Sequence, residues 1–292
     1  NSYPVLDINY HYDDAAKKVQ VIIQQNQDAH LFKLPIAIDI SANGNKTRHH
    51  VWVEDQTDTF TFNYETHPDL VNVDADKVLL AKKTDHKTID NYIFQYHHAP
   101  LYLDRREAIE ACSKEQDTND GAKEILLSAL KDKYYGLRII AINNLDMNNE
   151  NIKTAAVPII KEIAKQDPKA PARAAALAVL GDLKDDSLLT LFQQALNDSS
   201  YGVEAAGLTG IENLQPAMAY ENAHRLQSGA RGDLVAAICE VYAADGNEND
   251  FQFISKNVQD QSNYNKLPYI TLLLSAMVNH SINTDTAKSY LD

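Results

Sequence analysis

Among the 292 residues of this chain, the side chains able to do chemistry are ten histidines, two cysteines and several regularly spaced arginines. A hydrolytic zinc centre on a helix needs two imidazoles one turn apart with a carboxylate beside the first. No histidine here is followed by glutamate, so His-Glu-x-x-His is absent. The Gly-rich phosphate loop, the dinucleotide-binding Gly-x-Gly-x-x-Gly and the Gly-x-Ser-x-Gly nucleophile elbow are absent as well. His49 and His50 occupy adjacent positions of a strand pattern, so they point to opposite faces and cannot hold one ion together. His97 and His98 close a helical stretch before Ala99-Pro100, where adjacent positions diverge by ~100°. A cation is favoured at such a helix end, so these two read as junction residues. His67 precedes Pro68 in an exposed turn.

Cys112 and Cys239 each lie in an alanine-rich helical stretch, far apart in sequence. They read as small buried apolar residues, not as a disulfide or a metal pair. Arg106, Arg138 and Arg173 recur 32 and 35 residues apart. They either line a concave binding surface or bond carbonyls and carboxylates of the neighbouring hairpin. Tyr134, Tyr135, Tyr201 and Tyr242 fit a core or a groove equally well. The reading therefore assigns no catalytic, no cofactor-binding and no metal-ligating residue to this chain.

Two kinds of element must position these groups. Up to about residue 85 apolar residues alternate with period two, in runs 5–10, 18–25, 32–40, 48–54, 59–64, 69–74 and 78–82. Turn chemistry such as Asn43-Gly44 separates them. Seven short strands at this spacing predict an antiparallel β-sandwich over 1–85. Pro35 cannot donate to a ladder, so its strand is expected at an edge or to bulge there. The period then changes to 3.6. A linking helix over 88–98 lies in a junction spanning 86–103, and an α-α superhelix of HEAT-like helical hairpins is expected over 104–292. Its segments run 104–114, 120–131, 134–145, 150–166, 169–181, 186–197, 200–213, 216–228, 231–244 and 248–257, with more helix from Pro268 onward. Small residues follow the recurring arginines, as where a second helix must approach closely. The fold class is thus multidomain, β followed by α.

The formal net charge is −14 and both halves are acidic. Such a field repels phosphate backbones, so nucleic acid is not an expected partner. No apolar run approaches the ~20 residues that span a bilayer. The first residues carry no basic segment and no apolar core of a signal peptide, and there is no initiator methionine. The expectation is that the chain begins inside a longer protein or after processing. Its compartment is left open.

Several segments resemble the aminopeptidase N family of zinc peptidases. Tyr3-Pro4-Val5-Leu6 is similar to the segment following that family's catalytic domain. Val21 to Gln27, then Phe32-Lys33-Leu34-Pro35-Ile36-Ala37-Ile38, resembles its sandwich pattern, and Pro68 to Asp74 a late strand. Tyr96-His97-His98-Ala99 to Arg106-Glu107-Ala108 is similar to its approach to the helical domain. The resemblance implies a catalytic half upstream, carrying the zinc helix and a Gly-x-Met-Glu-Asn motif. Neither occurs here, so no catalytic or zinc residue is carried over. It implies zinc in that missing domain, partners consisting of that domain and a peptide substrate, and a helical region that closes over the active site and shapes access to it. The rival reading is a protein-binding scaffold of the same layout whose zinc site is lost.

Overall fold

The computed structural model of the protein describes residues 3–28, 30–260 and 266–279. Seven strands form two sheets. β1 (Val5–Asp13), β2 (Lys18–Gln25), β5 (Thr57–Asn63) and β7 (Lys82–Asp85) lie in the order β5-β2-β1-β7; β3 (Leu34–Ala42), β4 (Asn45–Val53) and β6 (Leu70–Val73) in the order β4-β3-β6. The pleat sends alternate residues inward. Leu6 and Ile8, Val19, Val21 and Ile23, and Leu34, Ile36, Ile38 and Ile40 therefore share one buried core with Val53, Val71 and Val73. This is the expected sandwich, antiparallel except that β7 runs parallel to β1.

Two details differ from expectation. The alternation over 78–82 is real, since Leu79 and Ala81 pack on the core. The segment before Lys82 nevertheless has no strand partner among the described residues, and the last strand starts only there. Asp74 and Lys77 take positive φ (54° and 51°), which folds 74–77 into a turn closed by Lys77 N–H donating to the Asp74 carbonyl. Pro35 lies in the middle strand of its sheet, facing Trp52 of β4. Its other side is open because β6 pairs only with Ile38–Ser41. The proline thus sits at a local edge within a central strand.

The helices fall where the periodicity placed them. α1 (Ile89–His98) opens with a reciprocal Thr88/Asn91 capping box, and α3 (Asp120–Ala129) is capped by Asn119, whose side chain accepts from Ala122 N–H. With α2 (Tyr102–Cys112) and α4 (Tyr135–Asn144) they pack together, α2 touching α1, α3 and α4. Then follow α5 (Glu150–Gln166), α6 (Ala170–Asp182), a single 3-10 turn at Asp186–Leu188, α7 (Leu189–Ala195), α8 (Tyr201–Glu212), α9 (Pro216–Leu226), α10 (Asp233–Asp245), α11 (Glu248–Asp260) and α12 (Lys266–Asn279). The expected helix beyond Asn279 lies outside the described residues. α6, α8, α10 and α12 contact one another in sequence; α9 touches both α8 and α10, α11 both α10 and α12, while α5 packs on α6 and α7 on α8. At the α6–α7–α8 contact the spacing is set by glycine: a Cβ on Gly210 would lie 2.5 Å from the Phe192 ring, and one on Gly181 3.4 Å from Gly210 Cα.

The strands give way to helices inside the expected junction, but the division into compact units falls later. One unit comprises Asn1–Asn149, the other Glu150–Asp292. The first holds the sandwich together with α1–α4.

Candidate functional site

The residues singled out by type do not converge. The His49 ring packs on Phe62, with centroids 4.4 Å apart, while His50 is exposed. His97 and His98 are both exposed at the end of α1, and His98 stacks on Phe94 at 3.9 Å. His67 Nδ1 lies 2.8 Å from Asp14 Oδ1 on the surface. Cys112 and Cys239 are fully buried free thiols, and burial pushes both up to about 12, so neither is a thiolate at neutral pH. Among the described residues no group of three or more His, Cys, Asp or Glu could hold a metal ion.

The arginines take the bonding role, with one substitution. Arg173 Nη1 donates to the Asp167 carbonyl at 2.8 Å, and its Nε and Nη2 grip both Asp198 oxygens at 3.0 and 2.8 Å. Arg138 Nη1 donates to the Asp132 carbonyl at 2.7 Å. The third member is Arg105, not the expected Arg106. Arg105 Nη1 is 3.1 Å from Asp132 Oδ2 and its guanidinium lies over the Tyr134 ring. Arg106, one position on and about 100° around the helix, points outward and pairs with Glu110. Tyr242 is core, and Tyr134, Tyr135 and Tyr201 are exposed.

Sequence reasoning missed the densest polar constellation, which joins the sandwich to α2. The turn after β6 supplies Asp74 and Lys77, β7 supplies Lys83, and α2 supplies Asp104 and Glu107, three apart and so on one helix face. Lys77 Nζ lies 2.6 Å from Glu107 Oε2 and 3.2 Å from Asp104 Oδ1. Lys83 Nζ lies 3.0 Å from Asp74 Oδ2 and 3.3 Å from Glu107 Oε1. Asn72 Nδ2 donates to Asp104 Oδ1 at 2.9 Å, and Gln95 Nε2 to the Asp104 carbonyl at 2.8 Å. Burial pushes the Glu107 carboxyl up, but Lys77, Lys83 and Lys87 outweigh it and hold the group below its ordinary value. Burial likewise lowers Lys83, and Glu107 with Asp74 more than reverse this. Held below its ordinary value, the Glu107 carboxyl is ionised near neutral pH and is no general acid there. The constellation can lock two elements together. The only sequence signal was five acidic or basic residues in a non-repeating stretch, Asp74 to Lys83, which no motif marks.

A cleft of about 120 Å³ adjoins this joint, lined by Asp39, Lys46, Arg48, Asp76, Asn72 and Asp104 among others. Its charges are also spent internally: Arg48 grips both Asp39 oxygens at 2.6 and 2.9 Å and reaches Asp76 at 2.6 Å. In the second unit His224 Nε2 is 3.2 Å from the buried Asp250, and Gln227 Nε2 is 3.3 Å from its Nδ1, which occupies both ring nitrogens.

No protein-family model matches the chain, and no curated protein matches its sequence. Solved structures do match. The aminopeptidase A of Legionella pneumophila, solved in complex with aspartic acid, aligns with a TM-score of 0.61 at 11% identity, over 98% of this chain and 41% of that one. The chain has an aminopeptidase-like fold. It spans about 41% of the length of the aminopeptidase it matches. A phycocyanin lyase complex from Nostoc aligns at a TM-score of 0.42 and 20% identity, over 70% of this chain and 79% of that one, too low a likeness to carry an argument. Within the aminopeptidase-like fold, the paired charges of the joint fix the first hairpin to the sandwich. No helix of the described residues is long and apolar enough to cross a membrane.

Proposed function

We propose that this chain is the sandwich and HEAT-type helical region of a zinc-dependent aminopeptidase, without catalytic residues of its own, shaping peptide access to a catalytic domain carried elsewhere in the parent protein. The observation that carries this reading is the aminopeptidase-like fold over 98% of the chain, against only 41% of the matched enzyme. The absence of the His-Glu-x-x-His and Gly-x-Met-Glu-Asn motifs from this sequence is consistent with it. In the parent, zinc would lower the pKa of a bound water and polarise the scissile carbonyl. This chain's part is mechanical: paired, desolvated charges at the joint hold the first helices at a fixed attitude to the sandwich.

The test uses the full parent protein and this chain side by side. The parent is expected to hydrolyse aminoacyl amides and peptides and to lose that activity on zinc chelation, while this chain alone hydrolyses none. A parent that cleaves no aminoacyl substrate under any metal condition would sink the reading and leave the protein-binding scaffold in its place.

A further inference from the structure

The core side of β4 changes character along its length. Val53, at the end of the strand, is buried in the core, and Val51 packs against it. His49, Thr47 and Asn45 continue the same face, since they stand opposite Ile38, Ile40 and Ala42 of β3, and directly opposed residues share a face. Thr47 and Asn45 thus hold core-side positions and yet are exposed. They line a cleft of about 350 Å³ between β4 and the end of β5, which are the edge strands of the two different sheets. Asn63, Tyr64, Glu65 and Thr66 form its other wall.

Both walls are fixed. Tyr64 N–H donates to the Lys17 carbonyl at 2.9 Å, and its hydroxyl donates to Asp14 at 2.6 Å. Asn43 N–H donates to Asp69 Oδ2 at 3.0 Å, which ties the turn before β4 to the loop after β5. The His49 ring, packed on Phe62, joins the two strands. The polar groups between these walls are unspent. Among the described residues no protein group bonds the side chains of Asn45, Thr47, Asn63, Glu65 or Thr66. In the cleft beside α2, by contrast, Arg48, Asp39 and Asp76 bond one another. Polar residues at core-facing positions are a defect in a sandwich unless they serve a function. A preformed concavity with a few convergent amides and hydroxyls is how small-molecule sites are built.

The lining selects the ligand. Amides and hydroxyls each combine donors with acceptors, which matches neighbouring hydroxyl groups on a ligand. No lysine or arginine lines the cleft among the described residues, and Glu65 is its one carboxylate, so an anion is repelled and a divalent cation lacks ligands. The Tyr64 and His49 rings add flat apolar surface. We propose that this cleft binds a neutral pyranose, a single sugar ring whose adjacent hydroxyls are bonded by Asn45, Thr47 and Asn63. The site belongs to the sandwich alone, whatever the parent protein hydrolyses.

The test follows amide chemical shifts of the isotope-labelled chain during titration with methyl glycosides of glucose, mannose, galactose and N-acetylglucosamine, and separately with glucuronate and inorganic phosphate. At least one neutral glycoside is expected to shift the amides of residues 43–49 and 63–66 saturably. Glucuronate should bind more weakly than the glucoside, and phosphate should leave these amides unmoved. Thr47→Val keeps the branched shape and removes the hydroxyl, so it should weaken binding about fivefold, the worth of one ordinary hydrogen bond. Asn63→Ala, on the opposite wall, should do the same, while Thr61→Val outside the cleft should not. No saturable shift with any neutral glycoside overturns the proposal. So does binding that Thr47→Val and Asn63→Ala both leave unchanged, or tighter binding of glucuronate or phosphate at these residues.

Discussion

Lys77→Met would replace the buried ammonium at the joint with an apolar side chain of similar length. Only 3% of the Lys77 side chain is exposed, and the Asp104 side chain it faces is 1% exposed. Deleting one partner of a buried ion pair costs about 3–5 kcal/mol, because the other charge stays buried without compensation. Here Asn72 still donates to Asp104, and Lys83 still reaches Glu107 at 3.3 Å. The lower end, about 3 kcal/mol, is therefore expected. For a unit of this size that corresponds to a fall in Tm of roughly 6–12 °C. The pH dependence supplies a second readout. A carboxyl held below its unfolded value adds stability above that value and loses it as pH falls through the folded one. For Glu107 this acid limb lies below its ordinary 4.5. Without Lys77, burial opposes a weaker cationic field, so the limb moves toward neutral pH. The assay is urea unfolding followed by the single tryptophan, Trp52, with amide exchange across α2, at neutral and mildly acid pH. A loss below about 1 kcal/mol, the size of an exposed pair, or an unmoved acid limb would refute the joint as a buried lock. A double-mutant cycle with Glu107→Gln should give a coupling of similar sign.

Other substitutions probe the rest of the fold. Gly210→Ala puts a methyl 2.5 Å from the buried Phe192 ring and is expected to destabilise the second unit by about 1–3 kcal/mol in thermal melts, whereas Gly229→Ala, with nothing within 4 Å, should not. Cys112 and Cys239, both pushed up to about 12 by burial, should resist alkylation in the folded protein and react fully in denaturant; labelling of either in the native state would contradict their burial. The Glu212 carboxyl is raised to about 7, first by burial and then by Glu240 and Asp245. A raised acid contributes stability at low pH that is lost as pH climbs through its folded value, so Glu212→Gln should gain on the wild type by about 1 kcal/mol above neutral pH and not below pH ~4.5. Melting temperatures that differ equally at both ends would exclude this.

Local pattern carried most of the architecture. Period two over the first 85 residues and period 3.6 after them gave the strand and helix positions to within a few residues, because each side chain's inward or outward choice is written in the sequence itself. The missing Glu after every histidine excluded a helical zinc motif from the sequence alone. Tertiary structure decided what local pattern could not express. Residues 78–82 alternate like a strand, yet the ladder begins only at Lys82, because it needs a partner and the partner is β1, over seventy residues earlier. Arg105 and Arg106 are equivalent by composition; helix phase against the Asp132 turn selects Arg105. The contact boundary lies at Asn149 and not where the period changes. Asp74, Lys77 and Lys83 meet Asp104 and Glu107 only once the chain has folded, and a charged pair distant in sequence leaves no periodic trace. The energy of such a pair depends on burial, which is a property of the assembled fold and not of any segment.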